Sequence, residues 1–201
     1  MTTLLQINAS MHNGNGQSSQ LANQFVAAFR MRNPDATIIV RDVAATDQVP
    51  HLNAERFGAF ITKAEQRSAA QHAVVAYSDT LIGELQQADV IVLGLPMYNF
   101  GVPSQLKAYF DHIARIGVTF KYTDKGPAGL LTGKKVYVFA ARGGVYAGTP
   151  MDTQTSYVRD FLRFIGMDDV EFVYAEGLNM GEQSKEAGLA NAAAEIARLA
   201  A

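Results

Sequence analysis

The sequence predicts an α/β fold in which a five-stranded parallel sheet is covered by helices on both faces. Short β-branched runs alternate with longer amphipathic segments, a pattern typical of parallel strands joined by crossover helices. Right-handed crossovers favour the strand order 2-1-3-4-5 in a three-layer sandwich. The predicted strands are Leu4–Asn8, Thr37–Arg41, Asp89–Leu95, Lys135–Ala141 and Val170–Ala175.

Helical periodicity fills the segments between these strands. Leu21, Phe25 and Phe29 share one stripe of a first helix, and Leu106, Tyr109, Phe110 and Ile113 share one stripe of a third. The second predicted helix covers about 63–87. A fourth covers Thr155–Ile165 and ends at Gly166, and an alanine-rich fifth covers Glu182–Ala201.

Two connections are too long for a minimal sheet of this kind, Asp42–Thr62 and Gly117–Thr132. Loops longer than about 12 to 15 residues usually have a function. The alternating run Val118–Tyr122 predicts a small hairpin in the second connection. Because no linker or repeat interrupts the pattern, residues 1–201 are interpreted as a single domain.

Composition excludes several kinds of protein. The 201 residues include no cysteine, which rules out a thiol nucleophile, a Cys-ligated metal and a disulfide. A net charge of −2 without a basic cluster argues against nucleic acid as a partner. No apolar run is long enough for a membrane span and no signal peptide is visible, so we expect a cytoplasmic protein. His12, His51 and His72 lack the spacing of metal ligands, and no metal is predicted.

The predicted topology brings three unusual loops together. Strands one, three and four are neighbours in this order, and ligands bind beyond their carboxyl ends. The loops that follow them, Ala9–Ser19, Pro96–Val102 and Ala141–Gly148, are rich in glycine or in polar groups. The sequence therefore predicts a binding site at this edge of the sheet.

The first loop is suited to a phosphate group. It leads into a helix, whose first amides and partial positive charge attract anions, and it contains the hydroxyls of Ser10 and Ser18. The alternative is that Ser18 acts only as an N-cap. The loop has no lysine for a nucleoside triphosphate, and Ser19 stands where a dinucleotide-binding fingerprint needs its third glycine.

The other two loops are suited to a flat ring. Met97, Tyr98 and Phe100 offer apolar surface beside backbone donors, which fits an aromatic heterocycle with a polar edge such as isoalloxazine. Gly143 and Gly144 allow close approach of the backbone. Arg142 could lie near a reduced, anionic flavin or form a surface ion pair. For Asp111-His112, a packing or capping role is favoured because the elbow motif of a hydrolase is absent.

Several motifs closely resemble bacterial FMN-dependent NADH-azoreductases of the NADH:quinone oxidoreductase family, and the resemblance runs essentially end to end. These motifs are Pro96-Met97-Tyr98-Asn99-Phe100, Ser104-Gln105-Leu106-Lys107-Ala108-Tyr109-Phe110-Asp111, Gly117-Val118-Thr119-Phe120, Arg142-Gly143-Gly144 and Phe161-Leu162-Arg163-Phe164-Ile165-Gly166.

The resemblance implies a flavodoxin-like homodimer that binds one FMN per subunit. Electrons would pass from NADH or NADPH to quinones and azo compounds in two-electron, ping-pong steps. It implies no catalytic side chain, because the flavin carries the hydride chemistry at N5. The implied cofactor-binding residues are Ser10, Gly16, Gln17 and Ser18 at the phosphate and Met97, Tyr98, Asn99, Phe100, Ala141, Arg142, Gly143 and Gly144 at the ring.

Aromatic side chains are the predicted substrate contacts. Phe120 and Tyr122 are expected to be too exposed for a monomer and to complete the pocket at a dimer interface, with Tyr146 also at the substrate. Phe161 or Phe164 is predicted to form a second wall, with a core position equally open for either.

Two positions depart from the family pattern. Gly16 stands where many members have serine, and Ala141 stands where serine or threonine is expected. Each departure removes a hydroxyl and leaves the backbone contacts in place.

Two other functions are weighed against this one. A flavodoxin-type electron carrier would need a strongly acidic surface, whereas this chain has 17 basic and 19 acidic residues. A flavin-independent hydrolase would have to use the polar loop between Ser10 and Ser19.

Overall fold

A computed structural model describes residues 1–45 and 49–200. Strands and helices alternate along the chain. The strands are β1 (Thr3–Asn8), β2 (Thr37–Asp42), β3 (Val90–Pro96), β4 (Phe120–Thr123), β5 (Gly126–Gly129), β6 (Lys135–Ala141) and β7 (Asp169–Ala175). The helices are α1 (Gln17–Arg32), α2 (Ala54–Ile61), α3 (Ala69–Gln87), α4 (Ser104–Ile113), α5 (Thr155–Phe164) and α6 (Glu182–Leu199).

Five of the strands form one parallel sheet in the order β2-β1-β3-β6-β7. Numbering only these five along the chain gives 2-1-3-4-5, so the predicted topology is confirmed. In the register, Leu5 pairs with Ile39 on one side and with Ile91 on the other, and Ile91 pairs with Val136. The carboxyl ends of β1, β3 and β6 therefore meet at one edge.

Alternate residues of each strand supply two separate cores, as the pleat of a strand requires. Leu5 and Ile91 face α3, α4 and α5, where they pack with Leu81 and Leu106 among others. Leu4, on the opposite face of the sheet, packs with its neighbours against α1 and α6. Both faces of the sheet are covered, which explains the nearly continuous apolar runs of the central strands.

The segment before β3 differs from the prediction in two ways. The helix expected over 63–87 begins only at Ala69, because Ser68 caps it in a capping box with Gln71. The long connection 42–62 contains an additional helix, α2, which Asn53 caps through the amide of Arg56. Residues 46–48 of this connection lie outside the described residues.

The predicted hairpin is confirmed as the antiparallel pair of β4 and β5. It lies against the end of α5 through a contact between two glycines. A Cβ on Gly129 would come within 2.0 Å of the amide nitrogen of Gly166, which has the left-handed φ of 107° expected at a helix C-terminus. The Leu131 amide also donates to the Ile165 carbonyl.

Within the described part of the chain, no helix combines the length and apolar character needed to cross a membrane.

Candidate functional site

A cavity of about 240 Å³ lies at the carboxyl edge of the sheet, where the loops after β1, β3 and β6 converge. The three predicted loops are therefore brought together. The residues that line the cavity are Ser10, His12, Gly16, Gln17, Ser18, Pro96, Met97, Tyr98, Ala141, Arg142, Gly143, Leu178 and Asn179.

The first wall of the cavity is the start of α1. A short turn over Asn13–Asn15 leads to Gly16, and the helix begins at Gln17. Ser18 therefore lies in the first turn, and its interpretation as the N-cap is wrong. Its hydroxyl is fully buried and has no hydrogen-bond partner among the described residues. Since buried polar groups are nearly always paired, this hydroxyl and the free amides of the first turn form a site prepared for an anion.

Ser10 connects the first wall to the second. Its Oγ accepts a hydrogen bond from the His12 amide at 3.2 Å and lies 3.2 Å from the Tyr98 hydroxyl oxygen. The same Tyr98 hydroxyl accepts a bond from the Met11 amide. Tyr98 thus spans the cavity from the loop after β3 to the loop after β1.

The departure at Gly16 has a structural reason. A Cβ at this position would lie 2.0 Å from Ser10 Oγ and 2.5 Å from Ser10 Cβ. Real Cβ atoms essentially never make contacts that short. The Ser10 side chain therefore occupies the space that a serine at position 16 would need.

The second wall is formed by the ends of β3 and β6. The Met97 amide donates to the Ala141 carbonyl at 3.1 Å, which fixes the two loops side by side. Met97 and Tyr98 line the cavity, whereas Asn99 and Phe100 are exposed beyond it. Asn99 and Phe100 adopt left-handed φ values of 50° and 63°.

An aromatic pair lies outside the cavity lining. Phe100 and Tyr146 meet edge to face with ring centroids 5.5 Å apart. Gly144 lies under Tyr146, because a Cβ there would come within 2.5 Å of the Tyr146 hydroxyl oxygen. Gly144 and Tyr146 therefore belong to the surroundings of the cavity and not to its lining.

Arg142 forms a buried ion-pair network, and the alternative of a surface ion pair is wrong. Its side chain is fully buried, donates to Asp152 at 2.9 Å and to Glu176 at 3.1 Å, and lies over the Tyr174 ring. Burial by itself raises the pKa of Asp152, but hydrogen bonds from Arg142 and Thr155 outweigh burial and lower that pKa overall. The two terminal nitrogens of the guanidinium are thus paired with carboxylates of the chain, whereas its Nε has no hydrogen-bond partner among the described residues.

The prediction that a single chain cannot bury Phe120 is wrong. Phe120 is only 8% exposed because its ring packs on Phe164 with centroids 4.3 Å apart. Phe161 stacks on Phe110 at 4.1 Å, against the core formed by α3, α4 and α5. None of these three predicted aromatic walls lines the cavity. Tyr122 is 68% exposed, as expected.

Of the packing or capping role predicted for Asp111-His112, packing is confirmed for His112 only. His112 is buried, and its Nε2 lies 2.9 Å from the Pro50 carbonyl oxygen. Its pKa is lowered, chiefly because burial disfavours the charged ring. Asp111 pairs with Lys107 on the surface of α4.

Four lining residues were not predicted from the sequence: His12, Pro96, Leu178 and Asn179. Leu178 and Asn179 follow β7, and their amides donate to the carbonyls of Arg142 and Gly143. The signal that could have found them is the pair of glycines at 177 and 181, both of which have left-handed φ values.

A parallel sheet in this order, with an anion-binding helix start at its topological switch point, defines a nucleotide-type ligand site of the flavodoxin-like kind. The chain belongs to the family of proteins with a flavodoxin-like fold, whose model matches residues 2–200.

Similar proteins narrow the class further. The chain is 60% identical over 196 residues to an FMN-dependent NADH:quinone oxidoreductase of Cellvibrio japonicus, covering 98% of this chain and 97% of the relative. It is 57% identical over 197 residues to FMN-dependent NADH:quinone oxidoreductase 6 of Burkholderia lata, covering 98% and 99%. The crystal structure of azoreductase from Bacillus anthracis str. Sterne matches with a TM-score of 0.90 at 28% identity, over 100% of this chain and 99% of that one.

Proposed function

We propose that this protein is an FMN-dependent oxidoreductase that passes electrons from NADH or NADPH to quinones and to azo compounds. The observation that carries the proposal is the buried, unpaired Ser18 hydroxyl at the start of α1. Ser18 lines the same cavity as the apolar wall of Met97 and Tyr98. The cavity thus suits a ligand with a phosphate at one end and a flat ring at the other, and FMN has both.

The chain's own residues hold and orient the cofactor. Ser10, Ser18 and the amides of residues 16–18 bind the phosphate, while the backbone of residues 97–100 and 141–144 supports the ring. FMN, when bound, supplies two-electron transfer, with reductant and acceptor visiting the same site in turn. No side chain has to act as a general acid or base, so the residues serve to position the ring and to exclude water.

The active unit is a homodimer in the cytoplasm, and the chain acts in it as one FMN-binding domain. The homodimer is supported by a set of apolar side chains that would be exposed to water in a monomer. They include Phe57, Phe100, Ile116, Tyr122, Val145 and Met151, which are between 46% and 68% exposed. Sedimentation is expected to give twice the chain mass of 21.7 kDa. A fully active monomer would contradict the dimer.

Two experiments test the function. The purified protein is expected to be yellow and to release FMN, not FAD, on denaturation, because the cavity offers one phosphate cradle. A colourless protein that FMN cannot reconstitute contradicts the cofactor. Ser18→Asp is expected to empty the site, since a carboxylate repels the phosphate.

Turnover separates the proposed enzyme from its alternatives. Reduction of a quinone with NADH as the only reductant is expected from the enzyme and not from an electron carrier, which requires a separate reductase. Hydrolysis catalysed by the flavin-free protein would support the hydrolase instead.

A further inference from the structure

The loop after β3 has a backbone conformation that must be held in place. Asn99 and Phe100 are consecutive left-handed residues with φ of 50° and 63°. For residues other than glycine this conformation is uncommon, and it persists only where the surroundings enforce it. Both residues are exposed, and the Phe100 ring has an edge-to-face contact with Tyr146.

Part of the restraint is local, because the Tyr98 and Gly101 amides each donate to the other residue's carbonyl and close a tight turn around Asn99 and Phe100. The rest comes from the loop before α5. The Gln154 side-chain amide donates from Nε2 to the Pro96 carbonyl at 2.9 Å and to the Gly101 carbonyl at 3.2 Å. It therefore joins the two ends of the strained loop. The neighbouring Thr153 hydroxyl donates to the Phe100 carbonyl within the loop.

Gln154 is itself fixed. Its side chain is only 1% exposed, and its backbone amide donates to Asp152 Oδ1 at 3.3 Å. Asp152 in turn pairs with the buried Arg142. A continuous set of contacts thus connects the loop after β6 with the loop after β3, and both are the proposed supports of the flavin ring.

We propose that Gln154 is a positioning residue, which holds the backbone of residues 97–101 in the conformation that contacts the flavin ring. The inference rests on the proposed placement of the ring beside this loop. Gln154 does not line the cavity, so it acts through the loop and not by touching the cofactor. Backbone donors close to the ring tune its electronic properties. Gln154 therefore contributes to the reduction potential of the bound FMN.

The first test measures the loop without cofactor. Gln154→Leu is compared with Gln6→Leu, because Gln6 is also buried and its Nε2 also donates two bonds, to Asn8 and Asn23, which are outside the loop. In FMN-free protein, Gln154→Leu is expected to raise hydrogen exchange at the Tyr98 and Gly101 amides by about tenfold or more, because both hydrogen bonds from Gln154 to the loop are lost. Gln6→Leu is expected to leave these two amides unchanged.

The second test measures the FMN-loaded protein. FMN is expected to slow exchange of the 97–101 amides in the unmodified chain. Gln154→Leu is expected to shift the FMN reduction potential and visible spectrum and to weaken riboflavin binding by about tenfold. Gln6→Leu is expected to lower the melting temperature and to leave riboflavin binding and the exchange of the loop amides unchanged. If FMN gives the unmodified loop no protection, the ring placement itself is wrong. If protection is present but the two variants behave alike, only the role of Gln154 is overturned.

Gln154→Glu keeps nearly the same side-chain shape and makes the hydrogen bonds to the loop depend on pH. A carboxylic acid can donate one bond to the Pro96 or Gly101 carbonyl, whereas a carboxylate donates none and repels both oxygens. At each pH, loop exchange in this variant is compared with that of the unmodified chain. The ratio of the two rates is expected to be close to one at low pH and to rise as the acid ionises. A ratio that stays close to one at every pH would mean that the side chain only fills space, and would overturn the proposal.

Discussion

Replacing Gly16 with alanine is expected to damage the phosphate end of the site. The added Cβ would lie 2.5 Å from Ser10 Cβ, which is about 0.9 Å short of ordinary contact at 3.4 Å. Rotation of the Ser10 side chain moves its Oγ but not its Cβ, so the backbone has to shift. Overpacking of this kind costs about 1–3 kcal/mol. For a chain of this size the loss corresponds to a melting temperature lower by roughly 2–12 °C.

Gly16→Ala is also expected to lower the affinity for FMN. A Ser10 displaced by this shift loses a hydrogen bond to a charged phosphate, which is worth about 1.5–3 kcal/mol, or roughly 10- to 150-fold in Kd. Thermal melting of the FMN-free protein and fluorescence titration with FMN measure the two effects separately.

Two further variants identify the cause. Gly14→Ala is the matched control, because a Cβ on Gly14 would meet nothing within 4 Å. Ser10→Gly combined with Gly16→Ala removes the colliding atoms, and the pair is expected to show a favourable coupling of about 1–3 kcal/mol. The reasoning is refuted if Gly16→Ala melts within a degree of Gly14→Ala, or if the double variant shows no coupling.

Ser18→Ala removes a hydroxyl that pairs with no described residue, so it should leave the melting temperature of the FMN-free protein almost unchanged. In titrations it should weaken FMN binding by about tenfold or more and spare riboflavin; equal losses for both would contradict a phosphate contact. Arg142→Met leaves the partly buried carboxylates of Asp152 and Glu176 without their cation and should cost about 3 kcal/mol in urea unfolding. The depressed pKa of Asp152 means that its stabilising effect is complete above its ordinary value of 3.8 and is lost as the pH falls through the depressed value. The free energy of unfolding of Asp152→Asn should lack this part of the dependence on acid pH. If the variant has the same acid dependence as the unmodified chain, Asp152 does not make this contribution. Phe120→Ala should cost about 3 kcal/mol, whereas Tyr122→Ala, at an exposed site of the same hairpin, should stay within about 0.5 kcal/mol in the isolated subunit. Equal losses would mean that Phe120 does not pack on Phe164.

The fold could be predicted because each central strand is a short, mostly apolar run between polar or turn residues. Strand β6 has the predicted bounds Lys135–Ala141 at both ends. Helix α2 was missed because it has only eight residues, two of its large apolar side chains are exposed, and it contains Gly58. The start of α3 was misplaced because the capping box of Ser68 and Gln71 is a stronger signal than the apolar periodicity that precedes it.

For the candidate site, the sequence predicted the loops but not the partners of their side chains. Arg142 was expected near the ligand or at the surface, and its carboxylate partners lie 10 and 34 positions further along the chain. Gln154 contacts carbonyls 53 and 58 residues before it. Contacts at such separations depend on how helices pack on the sheet, which local patterns do not determine. Phe120 was misjudged for the same reason, because alternation predicts a hairpin and not which of its faces meets α5.

The hydrogen bond between Ser10 and Tyr98 makes the two ends of the cavity thermodynamically linked. An anion that takes the Ser10 hydroxyl changes the partner of Tyr98, and a ring that displaces Tyr98 changes the partner of Ser10. By linkage, any factor by which inorganic phosphate alters the affinity for riboflavin equals the factor by which riboflavin alters the affinity for phosphate. If the two fragments of FMN compete for these partners, the affinity for the intact cofactor includes a coupling free energy that neither fragment reveals alone.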